Sequence, residues 1–146
     1  MRLNEKLYTS EELILAKKLI QIEIDALNRF YKGDTSGYRN LWSKENFSYY
    51  DANTSERIDT YEEIYDFLMN RVEGKVNVES YEFLSPRVQF GKDMAVLTYH
   101  LPYDDKPNSL HYNVIEIFQK TKKDKWEVIH STWTPLDPSK KDKITI

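Results

Sequence analysis

No cysteine occurs anywhere in the chain, which excludes a disulfide framework, a thiolate zinc site and a thiol nucleophile. Glycine is scarce, four residues in all, and no glycine-rich phosphate loop or serine nucleophile elbow can be read. No apolar run approaches the roughly 20 residues that a membrane-spanning helix needs. The N-terminal MRLNEKLYTSEELIL is charged where a secretory signal would be apolar, so a cytoplasmic protein without membrane association is expected. The net charge is only −3, and Lys and Arg are dispersed except in KTKKDK near 120 and KKDK near 140, which read as a hairpin turn and a tail. Without a basic stripe interleaved with aromatics, nucleic acid is not an expected partner. His100, His111 and His130 lack metal-ligand spacing, so no metal and no other cofactor is expected.

What the chain has in plenty is aromatic rings: eleven Tyr, six Phe and three Trp, more than a core of this size requires. Tyr is the aromatic suited to lining a wet cavity, apolar in the ring and polar at the tip. With 146 residues and 40% hydrophobic content, residues 1–146 read as a single domain, its core spanning about 9–135 and residues 136–146 forming a tail.

The elements follow a simple order. Thr9 or Ser10, followed by two Glu, caps a first helix that runs to about Lys32 and stops at Gly33. Asp34 caps a short second helix through Trp42; NFSYYDAN reads as a strand, and ANTSERID as a polar turn. Thr60 and Glu63 form a capping box for a third helix with Ile64, Phe67, Leu68 and Val72 on its apolar face, ended by Gly74. The period then changes to two. Strands are read in VNVESYEFLSPRVQF, DMAVLTYHL, LHYNVIEIFQK and KWEVIHSTWT, joined at GKD, PYDDKPNS and TKKD. Such short links require antiparallel hairpins, so the fold class is α+β, with three N-terminal helices packed on one face of a curved, mostly antiparallel sheet. Pro86 belongs at a bulge or an edge.

Several acids interrupt these patterns. At about 100° per residue, Leu13, Ala16, Ile20, Ile24, Leu27 and Tyr31 form one stripe of the first helix, flanked by Leu19, Ala26 and Phe30, and Glu23 falls inside that arc. No cation stands one turn from Glu23, whereas Asp25 has Arg29. Glu116 alternates with Tyr112, Val114 and Phe118, which puts it either at the rim or in a polar pocket. His130 shares a strand face with Trp126, Val128 and Thr132 and is expected to point inward, as a hydrogen-bonded core residue or a functional one. Asp51, on the side of Phe47 and Tyr49, reads as a turn-capping residue or a site residue. Ile129 and Trp133, or Ile115 and Ile117, would make the outer sheet face apolar.

Taken in order, ALN at 26–28, KGD at 32–34, FLSPRVQFGKDMAVLTY at 83–99 and KWEVIHSTWT at 125–134 resemble the nuclear transport factor 2-like superfamily, in its SnoaL-like branch. The middle segment is most similar to the association domain of calcium/calmodulin-dependent kinase II, with a more distant similarity to steroid delta-isomerase. The resemblance implies a cone whose curved sheet wraps the long helix around a pocket, and an outer sheet face used for dimerisation. It also implies that Asp51 stands at the isomerase's general base, Glu23 at or beside its helix Tyr, and Glu116 at its protonated oxyanion acid. Glu23 thus replaces a phenol, and Glu116 and Leu101 stand where the kinase domain has pocket arginines.

Two functions follow. One is a noncatalytic module, a homodimer or larger ring that assembles a partner or binds a small apolar or partly polar organic ligand, held by Tyr49, Tyr99, Tyr112 and His130 in an acidic, aromatic-lined pocket, with the acids satisfied by Tyr hydroxyls, His130, Arg57 or Arg87. The other is a cofactor-independent isomerase, cyclase or dehydratase in which Asp51, Glu23 and Glu116 move protons, crowding and desolvation having raised at least one pKa.

Overall fold

The computed structural model describes residues 3–102 and 111–136. The turn at PYDDKPNS beyond Pro102 and the tail from 137 lie outside the described residues. Helix α1 spans Ser10–Phe30 and opens on the expected capping box, Thr9 accepting from the Glu12 N–H while the Glu12 side chain accepts from the Thr9 N–H. It ends before Gly33, whose φ of +89° is a conformation that glycine adopts without strain. Helix α2 covers Ser36–Leu41, and the Asp34 carboxylate accepts from the Ser36 N–H at 2.8 Å. Helix α3, Tyr61–Phe67, is capped by Thr60, whose Oγ1 accepts from the Glu63 N–H, and widens into a π-helical turn over Leu68–Val72. The Glu63 carboxylate accepts from the Thr60 hydroxyl and not from its N–H, so only half of the expected capping box forms.

Five strands form one sheet: β1 Ser48–Tyr50, β2 Leu84–Gly91, β3 Met94–Leu101, β4 His111–Lys120 and β5 Trp126–Leu136, in the spatial order β1-β5-β4-β3-β2. Strands β2 to β5 pair antiparallel, and β1 joins β5 in parallel. Pro86 meets both expectations for it. Strand β2 is an edge, and the register slips between Leu84 and Arg87, where Ser85 takes a φ of +52°. The first long strand is shorter than the alternation of VNVESYEF suggests. Residues 76–80 leave the sheet, and Val78 N–H bonds instead to Tyr31 O at the end of α1, so Val76 and Val78 line the cavity beside the helix terminus.

The core lies between α1 and the inner sheet face. Ala16, Leu19, Ile20, Glu23, Ala26 and Leu27 of α1 are buried, as are Val88, Leu97, Tyr99, Val114, Glu116 and Phe118 of β2 to β4. Strand β5 departs from simple alternation. Phe118 pairs with Val128 and Ile117 with His130, leaving Ile129 as an extra residue in a β-bulge. One inserted residue exchanges the faces of everything after it. Hence Val128, Ser131 and Trp133 are buried and His130 and Thr132 turn outward, which reverses the expected placement of His130 and of Trp133. The outer face retains Ile115 at 38% exposure and Tyr50 at 43%, beside half-buried Val96 and Ile117.

Candidate functional site

Glu23 projects from the buried arc of α1 into a layer of hydroxyls. Its Oε2 accepts from Tyr38 Oη of α2 at 2.9 Å and from Tyr99 Oη of β3 at 2.5 Å, while Oε1 has no hydrogen-bond partner. The carboxyl is fully buried, and desolvation pushes its pKa up to about 7 against the opposing influence of the Tyr99 and Tyr38 bonds. Glu116 of β4 is buried as completely. Burial first and the nearby charge of Glu23 second hold its pKa well above the carboxylate range, partly offset by Ser131 and Trp42. Ser131 donates to Glu116 Oε1 and itself accepts from Trp133 Nε1 at 3.0 Å. The Trp42 indole favours the charged form of Glu116, yet Trp42 Nε1 and Glu116 Oε2 complete no hydrogen bond of good geometry. The phenols of Tyr38 and Tyr99 lie well above their usual pKa because of burial and the adjacent acids, so both remain protonated donors.

In front of this layer lies a cavity of about 310 Å³. Its walls are rings, Phe30, Tyr31, Tyr38, Trp42, Tyr49, Phe67, Tyr112 and Trp133, with Leu68, Val72, Val76 and Val78 completing the apolar surface. Charged or amide side chains enter at only four positions, Asp51, Asn53, Arg71 and Lys75. Asp51 follows β1; its Oδ2 accepts from Tyr49 Oη at 2.8 Å and its Oδ1 from the Asn53 N–H at 2.6 Å, an Asx turn that fixes the carboxylate at the cavity. Burial, then Asp51, raises the Tyr49 phenol well above its usual range.

Of the residues singled out from sequence, Asp51, Tyr49 and Tyr112 line the cavity. Glu23, Glu116 and Tyr99 form the buried layer and are not among the lining residues; Tyr38 belongs to both groups. His130 belongs to neither, because the β5 bulge turns it outward. Its Nδ1 bonds to Ser48 Oγ at 2.7 Å and its Nε2 to Thr132 Oγ1 at 2.5 Å, beneath the edge of the Tyr50 ring. Burial, reinforced by Arg57, lowers its pKa. Tyr hydroxyls do bond to Asp51 and to one oxygen of Glu23, whereas Arg57 bonds to Asp59. Trp42 and Arg71 were not singled out from the sequence, and Trp133 was assigned to the outer sheet face instead of the cavity. Trp133 was hidden by the bulge, Trp42 by its position just past α2, and Arg71 by looking like any exposed helix residue.

Among the described residues no group of His, Asp and Glu could hold a metal ion, and no helix is long and apolar enough to cross a membrane. A second depression of about 710 Å³, beside the β4–β5 turn, is lined mainly by polar and charged residues including Lys44, Lys122, Lys123 and Lys125, and contains none of the expected site residues.

Helices packed against a five-stranded, mostly antiparallel curved sheet with a cavity between them define a nuclear transport factor 2-like cone. Within that class the chain belongs to the SnoaL-like domain family, whose model matches residues 23–135. A candidate ketosteroid isomerase from Parabacteroides distasonis has a similar structure, with a TM-score of 0.72 at 19% identity over 83% of this chain and 87% of that one. The hub domain of calcium/calmodulin-dependent kinase II from S. rosetta gives 0.66 at 19% identity, over 82% and 95% respectively. A nuclear transport factor 2-like protein from Cytophaga hutchinsonii gives 0.63 at 13% identity, over 88% and 100%. No curated protein matches.

Proposed function

We propose that this chain binds a small apolar or partly polar organic molecule in the aromatic cavity. The observation that carries this reading is the composition of the cavity wall: eight rings and four aliphatic side chains around about 310 Å³, with few polar groups. Such a site takes its affinity from apolar burial and its orientation from a few fixed polar atoms. Asp51 and the Tyr49 phenol supply two of them. Glu23 and Glu116 act from behind the wall: Glu23 holds Tyr38 through its hydroxyl, and Glu116 fixes Trp133 through Ser131, so two cavity rings have set positions. Trp42 and Trp133 line the cavity and Trp126 does not, which provides a built-in reporter. In a fluorescence screen of cyclic and aromatic compounds with Trp126→Phe, a ligand in the cavity quenches or shifts the emission of the two remaining tryptophans. Binders that leave both unaffected would refute the reading. The same proposal takes the protein as a homodimer joined through the outer sheet face, on the support of exposed Ile115 and Tyr50.

A second reading is favoured by one particular: an acid, Asp51, stands in the cavity wall beside a phenol, and candidate ketosteroid isomerases share the fold. In this reading Asp51 is the general base of a cofactor-independent isomerase, cyclase or dehydratase, and the Glu23 and Glu116 carboxyls, with their raised pKa values, tune the proton held on Tyr38. Incubating cavity ligands that carry an enolisable carbonyl in D₂O tests it by NMR. Asp51→Asn keeps binding and loses deuterium incorporation if the reading holds; incorporation at the wild-type rate rejects it.

A further inference from the structure

We infer that the natural ligand is an anion, a carboxylic acid on a flat cyclic body, with its acid group held at the cavity mouth by Arg71 and Lys75. This rests on the reading of the cavity as a ligand site and specifies what enters it. Leu68, Arg71 and Val72 of the π-helical turn, and Lys75 just past Gly74 at its exit, all line the cavity. The set is graded. Leu68 is 2% exposed, Val72 is half-buried, and Arg71 and Lys75 are exposed. Apolar surface thus lies within and positive charge lies at the solvent end.

The charge at that end is not neutralised by the protein. Arg29, Arg39 and Arg57 each face a carboxylate, Asp34, Glu73 and Asp59, while Arg71 forms no ion pair among the described residues. Lys75 is steadied by donating to the Asn70 carbonyl at 3.1 Å, a bond that leaves its charge available. The acid on the cavity wall, Asp51, already accepts from Tyr49 and Asn53 and is bridged to neither cation. A guanidinium with no carboxylate partner, beside an apolar cavity, suits a planar carboxylate that it can grip with two parallel bonds. A neutral ligand of the same shape would fill the cavity and leave both cations in water.

Biphenyl-4-carboxylic acid and biphenyl-4-carboxamide are a matched pair of probes, read by the indole N–H resonances of Trp42 and Trp133 in ¹⁵N-labelled protein. The acid is expected to bind about fivefold more tightly than the amide at low salt, the scale of a partly exposed ion pair. Added salt erodes that advantage. Arg71→Gln and Lys75→Gln, at exposed positions where folding is not at stake, each weaken the acid more than the amide and so reduce it. Equal affinity for acid and amide, or a loss in Arg71→Gln that is the same for both, would overturn the anion inference while leaving the cavity reading intact. If neither compound moves the Trp42 and Trp133 resonances, both fall together.

Discussion

Replacing Glu23 with Gln separates the buried carboxyl's charge from its shape. Burial raises the folded-state pKa of Glu23 from 4.5 to about 7. Between those values the folded protein holds a proton that the unfolded chain has released, so stability falls as pH rises. The favourable contribution is complete below the unfolded pKa and is lost as pH passes through the folded one. Linkage at roughly 1.36 kcal/mol per pH unit makes the whole effect about 3 kcal/mol, most of it lost between pH ~5 and ~8. Glu116, also raised, adds to the loss. His130, whose folded pKa is lowered, has the opposite slope, its contribution being lost as pH falls. Gln keeps an oxygen to accept from Tyr38 and Tyr99 and cannot ionise, and its absent charge eases Glu116 as well. Urea unfolding at fixed ionic strength should show the wild type losing about 2–3 kcal/mol over that range and Glu23→Gln clearly less, the variant being the more stable at the upper end. A wild type equally stable at both ends, or a variant with the same slope, would refute the reasoning.

Other substitutions probe the supports of the site. A Cβ added at Gly37 would stand 2.9 Å from Ala26 Cα, where α2 crosses α1; Gly37→Ala should cost about 1–3 kcal/mol in denaturant unfolding. Ser131→Ala removes the donor to Glu116 and the acceptor of Trp133 in one step, and should cost about 1–3 kcal/mol and steepen the loss of stability with rising pH. Ile115→Lys places a charge on the outer sheet face and, if that face joins the proposed homodimer, should sediment as a monomer at concentrations where the wild type associates; an unchanged sedimentation profile would reject the outer face as the interface.

The inward acids were legible in the sequence because period alone exposes them. Glu23 breaks the apolar arc of a long helix, Glu116 alternates with core residues, and both are fully buried. Helix ends were legible from Thr9, Thr60 and the two glycines, whose chemistry is local. What alternation cannot reveal is an inserted residue. The bulge at Ile129 leaves no compositional mark, yet it sends His130 outward and brings Trp133 to the cavity. Parallel pairing of β1 with β5 was equally hidden, since the partners are 82 residues apart, as the Ser48–His130 bond records. Nor could spacing distinguish an acid that lines a cavity from one that holds the lining residue in place. Glu23 and Asp51 look alike as interruptions of a pattern, but one lies behind Tyr38 and the other in the wall.

Crystals soaked with a mixture of cyclic and aromatic fragments test the cavity most directly. Ligand density bounded by Trp42, Tyr49 and Trp133, with Asp51 at its edge, is the result that a binding domain of this kind must give. A cavity closed by its own side chains, with every fragment bound elsewhere, would contradict it.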